Sequence, residues 1–269
     1  MASGSVFIEG IALWAPRLPG WPLAARILRG ELPPAAGVSR PAPAVLPANE
    51  RRRAPDTVAV ALEVAAAACA HAERAPSTLP SVFASAYGDL AISDYLCATL
   101  ARTPLLTSPT KFHNSVHNAA AGYWAIATGC FEPYTAVAAQ SYTFASGLLL
   151  AAAQACADER PVLYVAYDTA AVGPLATMAA TRSMLGAALV LAPGASARAL
   201  TQLTFRVHEG TRPVSGARAA NAVLCEGSAL APSLALFEAL ADAVPRDIFQ
   251  SLGPQLTLDL RLEPREQSR

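Results

Sequence analysis

The chain has 269 residues, of which 53% are hydrophobic and 15% are charged; this balance excludes a disordered chain and leaves enough length for a large core. Its 20 basic and 20 acidic side chains cancel, so no net field attracts nucleic acid or an anionic membrane surface. Polar residues such as Gln154 and Asp158 interrupt the longest apolar run, and no secretory pattern opens the chain, so we expect a cytoplasmic protein without stable membrane insertion.

Hydrophobic patterning divides the chain into alternating strands and helices. Strand-like runs occur at 5–13, 81–87, 135–139, 161–168, 186–193, 199–209 and 256–262. Helical patterns occur at 56–74, from Asp89 onward, in the second half of 111–130, between the turn after 139 and about 158, and at 228–244. The alternation predicts an α/β fold with a mainly parallel sheet, in which the continuous apolar run at 161–168 is buried on both faces.

Three further patterns concern packing and surface. In the helix after Asp89, Ile92, Leu96 and Leu100 recur every four residues and predict an apolar face. The proline-rich segment 30–55 carries Arg51–Arg53, which we interpret as a solvated basic face. The odd number of cysteines, without a CxxC pair, predicts reduced and mostly buried thiols. These cysteines are Cys69, Cys97, Cys130, Cys156 and Cys225.

A metal or nucleotide site has little support in the sequence. His113 and His117 are four residues apart, like half of a helical zinc site, but the glutamate of the HExxH motif is missing between them. No Cys or His pair is spaced to supply the remaining ligands. The motifs GxGxxG, GxxxxGK[ST] and GxSxG are also absent. We therefore predict neither a metal ion nor a cofactor.

The stretch TAVAAQSYTFASGLLLAAAQA, residues 135–155, predicts a strand that turns at once into a long apolar helix. Enzymes often place a nucleophile at such a corner, where the helix N-terminus favours an anion. This corner carries Gln140, Ser141 and Tyr142, and no cysteine. Ser141 is a candidate nucleophile with His208 as its base, or a simple helix cap. Asp168, at the end of a predicted strand, is a candidate to orient a histidine or to cap a turn.

Four segments, in order, resemble the N-terminal half of a β-ketoacyl synthase of the thiolase superfamily. They are VFIEGIALWAP with LPGWPLAARILRGE, PANERRRAPDTVAVALEVAAAACA, SPTKFHNSVHNAAAGYWAIATG, and GAALVLAP. The resemblance covers residues 5 to about 193. It implies a thiolase-like α/β fold with helices layered around the sheet at 1–195, and an abbreviated C-terminal extension at 196–269 packed on the same domain.

The resemblance also implies a non-catalytic role. Its register places Ser141 at the position of the ketosynthase nucleophile, which is a cysteine in that family. The family uses two histidines from its C-terminal half; VHEGT around His208 is faintly similar to one motif, but Glu209 interrupts it and no second histidine follows. The chain therefore resembles a chain-length-factor-like subunit of aryl polyene, type II polyketide or fatty-acid-like synthesis, which pairs with a full-length catalytic ketosynthase and meets acyl carrier protein through that complex.

In such a pair, the non-catalytic subunit borders the acyl tunnel. Tyr142 and Phe144 are candidates to set the tunnel depth beside Gln140 and Ser141, or are ordinary core residues. The candidates for the subunit interface are Phe112, His113, Asn114, His117 and Asn118. Two other functions stay open: a serine-dependent acyl hydrolase or acyltransferase using Ser141 with His208, and a homodimer that binds acyl groups without a catalytic partner.

Overall fold

Strands and helices alternate along the computed structural model, which describes residues 3–38, 40–179 and 181–265. The strands are β1 (Ser3–Ala15), β2 (Leu18–Pro19), β3 (Ser81–Ala84), β4 (Tyr134–Val137), β5 (Val162–Asp168), β6 (Leu185–Ala192), β7 (Thr201–Glu209), β8 (Arg246–Gly253) and β9 (Leu256–Pro264). The helices are α1 (Trp21–Leu28), α2 (Ala48–Arg53), α3 (Asp56–His71), α4 (Leu90–Arg102), α5 (Pro109–Asn114), α6 (Ala119–Thr128), α7 (Thr143–Ala157), α8 (Ala219–Ala222) and α9 (Leu234–Asp242). None of the helices within these ranges is long and apolar enough to cross a membrane.

Every strand-like run of the sequence forms a strand, but the sequence does not predict β2 or β8. Strand β8 has the sequence RDIFQSLG, in which charged, amide and hydroxyl side chains interrupt the apolar residues. Only three of its eight residues are buried. Its hydrophobic pattern is therefore too weak to identify a strand.

The strands form one mixed sheet in the order β4-β3-β5-β6-β1-β7-β9-β8, and β2 pairs with the end of β1. Strand β3 is parallel to β4 and β5, and the other pairs are antiparallel. The α/β class is confirmed, but the parallel pairing expected for most of the sheet is confined to the edge that ends in β4. Parallel neighbours need a long crossover, usually a helix, and the described residues between β5 and β6 and between β8 and β9 contain no α-helix.

Helices α3 and α7 cover opposite faces of the central strands. Every residue of β5 is buried, as its apolar sequence predicts. Because side chains alternate along a strand, Tyr164 packs in the cluster that contains α7, while Leu163 and Val165 pack in the cluster that contains α3. The central strands therefore have a hydrophobic core on each face.

Helix α7 lies unusually close to the sheet because Gly147 has no Cβ. A Cβ at this position would lie 2.7 Å from Cε2 of Tyr164 and 2.9 Å from Cβ of Ala84. One turn earlier, the Tyr164 hydroxyl donates a hydrogen bond of 2.6 Å to the backbone oxygen of Phe144. These contacts fix the first turns of α7 against β3 and β5.

Residues 196–265 extend the same sheet. Strand β7 pairs with β1, and β9 and β8 follow as an antiparallel hairpin. Helix α9 packs against α1, with the rings of Trp21 and Phe237 5.9 Å apart. The division of the chain at residue 195 stays a prediction, and residues 266–269 of the predicted extension lie outside the described residues.

Helix α4 does not bury the apolar face that its sequence predicts. Only Leu90 and Ile92 are buried in this helix, and Leu100 is 58% exposed. Cys97 is exposed as well, so the expectation of buried thiols fails there, although it holds for Cys69, Cys130 and Cys225. The periodicity of α4 identifies the helix, but the folded chain leaves part of its apolar face open to solvent.

We predict that two glycine-to-alanine substitutions change the free energy of unfolding in opposite directions, because only Gly147 lies against the sheet. Gly147→Ala lowers the free energy of unfolding by about 1–3 kcal/mol, because the added methyl overlaps Tyr164. Gly122→Ala in α6 is the matched control, because a Cβ there meets nothing within 4 Å; it raises the free energy of unfolding by about 0.5–1 kcal/mol through helix propensity. Chemical denaturation of both variants measures the two changes in the free energy of unfolding. Changes in the same direction would contradict the packing argument.

Candidate functional site

The corner between β4 and α7 is closed by a single 3-10 turn, Gln140–Tyr142. The backbone of Gln140 has φ 49°, a left-handed conformation that residues other than glycine seldom adopt. Thr143 stabilises the turn: its hydroxyl accepts a hydrogen bond from the Ala139 N–H at 2.9 Å and donates one to the Gln140 oxygen at 2.7 Å. The sequence analysis did not select Thr143, although a threonine three residues after a turn residue is a recurrent local pattern.

The four predicted corner residues differ in their exposure. Gln140 and Ser141 are exposed, Tyr142 is half-buried, and Phe144 is only 3% exposed. The Phe144 ring packs 5.6 Å from that of Tyr164. Phe144 is therefore a core residue, and its backbone oxygen also anchors the helix.

The structure does not join Ser141 to a histidine. No hydrogen bond of the Ser141 side chain occurs within the described residues, and the N-cap of α7 is Tyr142 rather than Ser141. Along β7, Leu203 and Phe205 are buried, so His208 faces the opposite side of the strand. Neither the Ser–His pair nor the helix cap that the sequence left open is formed.

A cavity of about 190 Å³ lies behind the corner. Its wall combines residues of the corner with residues of the C-terminal part of the chain. The lining residues are Ser141, Tyr142, Phe144, Ala145, Val214, Ala229, Pro232, Gln250 and Ser251. Although β4 and β8 lie at opposite ends of the sheet, the turn after β4 contacts β8, and this contact encloses the cavity.

A buried carboxylate lies where β3 and β5 end. Asp168 is fully buried and accepts hydrogen bonds from the Ser85 hydroxyl at 2.9 Å and the Ala86 N–H at 3.0 Å. Burial raises the pKa of Asp168 to about 6, and the bonds from Ala86, Ser85 and Tyr87 and the nearby His117 limit the rise. Asp168 therefore caps the turn after β3, while its interaction with His117 is electrostatic.

The five interface candidates divide between surface and interior. Phe112 is 64% exposed, and His113 and Asn118 are exposed. Asn114 is only 5% exposed, and its Oδ1 accepts a hydrogen bond of 3.2 Å from a tyrosine hydroxyl of α6. His117 is half-buried. Three of the five side chains are thus exposed to solvent, and the amide of Asn118 donates a hydrogen bond of 3.4 Å to the hydroxyl of Tyr134.

The zinc-like spacing of His113 and His117 does not form a metal site. His113 lies in α5 and is exposed, whereas Nε2 of His117 lies 2.9 Å from the backbone oxygen of Ser85. Within the described residues, no group of three or more His, Cys, Asp or Glu side chains is arranged to hold a metal ion.

A basic groove of about 990 Å³ lies between α2, α5 and residues 169–172 and 182–184. Its cationic side chains include Arg52, Arg53, Lys111 and Arg182. The sequence interpretation assigned Arg52 and Arg53 to a solvated face, and it could not bring Lys111 and Arg182 to them because these residues are distant along the chain. Asp56 and Asp89 also line the groove, and Asp56 forms an ion pair with a fifth cation, Arg40, so the lining keeps an excess of positive charge that favours an anionic partner.

Exposed apolar side chains lie on or beside α4, α5, α6 and β4, and we call this set of residues the apolar face. Its members are Leu100, Leu105, Leu106, Phe112, Val116, Ile126, Phe131 and Tyr134, which are all at least 40% exposed. A groove of about 510 Å³ joins Val116, Ile126 and Tyr134 within it. Exposed apolar patches such as the lining of this groove often mark sites of interaction with other molecules.

Comparison with protein families identifies one match: residues 29–241 fit the model described as beta-ketoacyl synthase, N-terminal domain. A search of curated proteins finds no match.

Several solved structures share the fold. A chain in the complex of the ketosynthase ApeO with its chain length factor ApeC from Xenorhabdus doucetiae aligns with a TM-score of 0.72 and 21% identity, over 96% of this chain and 99% of that chain. A second match is a chain of the type II polyketide synthase complex AntDE:AntF, an acyl-carrier protein with its ketosynthase bound to the hexaketide. It aligns with a TM-score of 0.70 and 10% identity, over 98% of this chain and 100% of that chain. A beta-ketoacyl synthase from Burkholderia phymatum STM815 aligns with a TM-score of 0.64 and 11% identity, over 98% of this chain and 100% of that chain. These similarities establish a thiolase-like ketosynthase fold.

We predict that Asp168 makes stability depend on pH. An aspartate titrates near 3.9 in an unfolded chain, whereas the pKa of Asp168 in the fold is about 6, so the folded form binds more protons between these values. The free energy of unfolding therefore falls as pH rises through this window, by about 3 kcal/mol from this group. The asparagine of Asp168→Asn does not titrate. The free energy of unfolding of the protein minus that of this variant, measured against pH, therefore reports the contribution of Asp168. If this difference in the free energy of unfolding stays constant or increases as pH rises, the prediction is wrong.

Proposed function

The chain belongs to the β-ketoacyl synthase N-terminal domain family, and on that premise we propose that it is a non-catalytic, chain-length-factor-like subunit. It pairs with a full-length catalytic β-ketoacyl synthase in the cytoplasm and helps to shape the acyl tunnel of polyketide, aryl polyene or fatty-acid-like synthesis. Acyl carrier protein reaches the chain through the complex.

The composition of the corner is the observation that carries the proposal. Residues 138–143 contain no cysteine, and the exposed Ser141 forms no hydrogen bond with a histidine in the described part of the chain. Gln140, whose backbone has a left-handed conformation, is a second candidate for the nucleophile position. The nucleophile of an enzyme with such a strand-to-helix corner typically has a strained backbone. A serine without a base is a poor nucleophile, and a carboxamide is not among the side chains that form covalent intermediates. Either assignment leaves the corner without an activated nucleophile.

The apolar face supports the pairing. Ile126 is 84% exposed and Phe131 is 99% exposed, and Phe112 adds one of the interface candidates selected from the sequence. Burying such side chains against a partner stabilises a complex by roughly 25 cal/mol per Å² of apolar area. A catalytic ketosynthase with a matching apolar surface fits this face.

Strand β4 adds a second surface for pairing beside the apolar face. Within the described residues β4 pairs only with β3, so one side of its backbone is free to accept another strand. The strand ends next to the Gln140–Tyr142 turn. A partner that joins here would therefore lie beside the corner and could share an acyl tunnel with it.

The basic groove supports contact with an acyl carrier. Arg52, Arg53 and Lys111 lie on its surface and are exposed. A carrier with an acidic surface would be attracted to these charges, and the attraction would weaken with salt. The groove borders α5, so a docked carrier would lie close to the proposed subunit interface.

We predict that the tagged chain, purified from its native lysate, captures a full-length ketosynthase. Mass spectrometry should identify a protein with an active-site cysteine and two catalytic histidines, and sizing should give a one-to-one complex. A well-behaved monomer would contradict the pairing. A homodimer that binds acyl carriers would instead support the acyl-binding alternative.

The apolar face also predicts a specific loss of pairing. Ile126→Glu places a charge on the proposed interface, and we expect it to weaken partner capture by at least tenfold without lowering thermal stability. Val223→Glu is the matched control, because Val223 is 57% exposed but lies at the end of α8, outside the apolar face. Equal capture by the two variants would exclude this surface as the interface.

A further inference from the structure

We infer that the basic groove binds a small organic phosphate that carries at least two negative charges. Three properties of the groove point to this ligand: guanidinium groups without partners, carboxylates that already have partners, and a buried amide donor. The carrier contact proposed above would use the same charges, so the ligand would compete with it. The binding itself needs only this chain, and it can therefore be tested without a partner protein.

Three cations of the groove are available to a ligand. Arg52, Arg53 and Arg182 are exposed, and their guanidinium groups form no hydrogen bond or ion pair with another described residue. The two residues of the first pair belong to α2, whereas the backbone N–H of Arg182 is fixed by a hydrogen bond of 2.6 Å to the Gly227 oxygen. Guanidinium groups bind phosphate oxygens through paired N–H donors. Cations from two separate segments favour a ligand with more than one negative charge.

The two carboxylates that line the groove have partners of their own. Asp89 accepts hydrogen bonds at both oxygens, from the Ile92 N–H at 2.8 Å and from the Thr57 hydroxyl at 2.7 Å. Asp56 forms its ion pair with Arg40 at 2.7 Å. Neither carboxylate pairs with the three free guanidinium groups, so these groups can bind an anion without first losing an internal ion pair.

A buried amide adds a neutral donor to the cations. Asn114 lines the groove although it is only 5% exposed. Its Oδ1 accepts the hydrogen bond from the Tyr123 hydroxyl, which orients the amide, and its Nδ2 donates to no described residue. The fold does not enclose Nδ2 completely, so a ligand can reach it. An amide NH2 group can only donate, and it therefore favours a ligand oxygen.

The size and apolar lining of the groove set the kind of ligand. Pockets for small ligands have volumes of about 300–1,000 Å³, so the groove, at about 990 Å³, has room for a molecule as large as a nucleotide. Ile92, Val172 and Met184 add apolar lining, which suits an aromatic or other apolar body attached to the phosphates. The chain has no net charge, so a long nucleic acid is not favoured.

The test titrates the full chain with inorganic pyrophosphate, ADP and adenosine by isothermal titration calorimetry. We expect pyrophosphate and ADP to bind, and ADP to bind at least about tenfold more tightly than adenosine, which lacks the phosphates. Arg182→Gln should weaken binding of pyrophosphate and ADP by about five- to tenfold, because it removes a charged donor. Arg206→Gln is the matched control: Arg206 is equally exposed, but it lies in β7 outside the groove, so binding should not change.

A second variant tests the amide. Asn114→Asp keeps an oxygen for the Tyr123 hydroxyl but replaces the donor with a negative charge, so ADP binding should fall by at least about tenfold. Gln255→Glu adds the same charge in the exposed turn between β8 and β9 and should bind ADP normally. Thermal unfolding checks that both variants fold; if Asn114→Asp does not fold, Arg182→Gln decides.

Two results would overturn the inference. The first is no binding of pyrophosphate and ADP, as expected if the groove serves only the acidic surface of a carrier protein. The second is an equal loss of binding in Arg182→Gln and Arg206→Gln, which would show that the probes respond to net charge rather than to the groove. A chain that captures its ketosynthase but binds neither probe would leave the proposed function standing.

Discussion

The contact between helix α7 and strand β5 is the constraint on which the corner depends. Gly147 lets the helix approach the Tyr164 ring, and the Tyr164 hydroxyl binds the backbone oxygen of Phe144 in the first turn. Both groups are buried, so a displaced helix would leave a polar pair unsatisfied at a cost of about 1–3 kcal/mol. The turn at Gln140–Tyr142 therefore has a fixed position relative to the sheet.

The shape of the corner comes from the contacts that support it. The corner is held by Thr143 and closed from behind by the C-terminal part of the chain, so its shape does not need a reactive side chain. The surfaces available for contact with other molecules lie elsewhere: they are the apolar face, the free edge of β4 and the basic groove. These three surfaces are the features that support the proposed pairing with a catalytic ketosynthase.

Local patterns in the sequence predict much of the fold but only part of the site. The apolar run of β5 identifies a doubly buried strand, and the strand-to-helix pattern places Gln140, Ser141 and Tyr142 at a corner. The sequence does not predict β8, and hence Gln250, because the burial of that strand depends on contacts with the distant corner. Arg182 comes close to Arg52 only in the folded chain. The antiparallel pairing of β5 with β6 agrees with a connection whose described residues contain no α-helix. Pairing between elements distant in sequence is not encoded in local periodicity.

The most direct test of the account is to locate the acyl group in the purified complex. The complex would be incubated with an acyl thioester, and the intact masses of both subunits recorded. The account predicts an acyl adduct on the partner ketosynthase and an unchanged mass for this chain, because its corner lacks an activated nucleophile. An adduct on this chain that disappears in Ser141→Ala would contradict the account and establish Ser141 as a nucleophile.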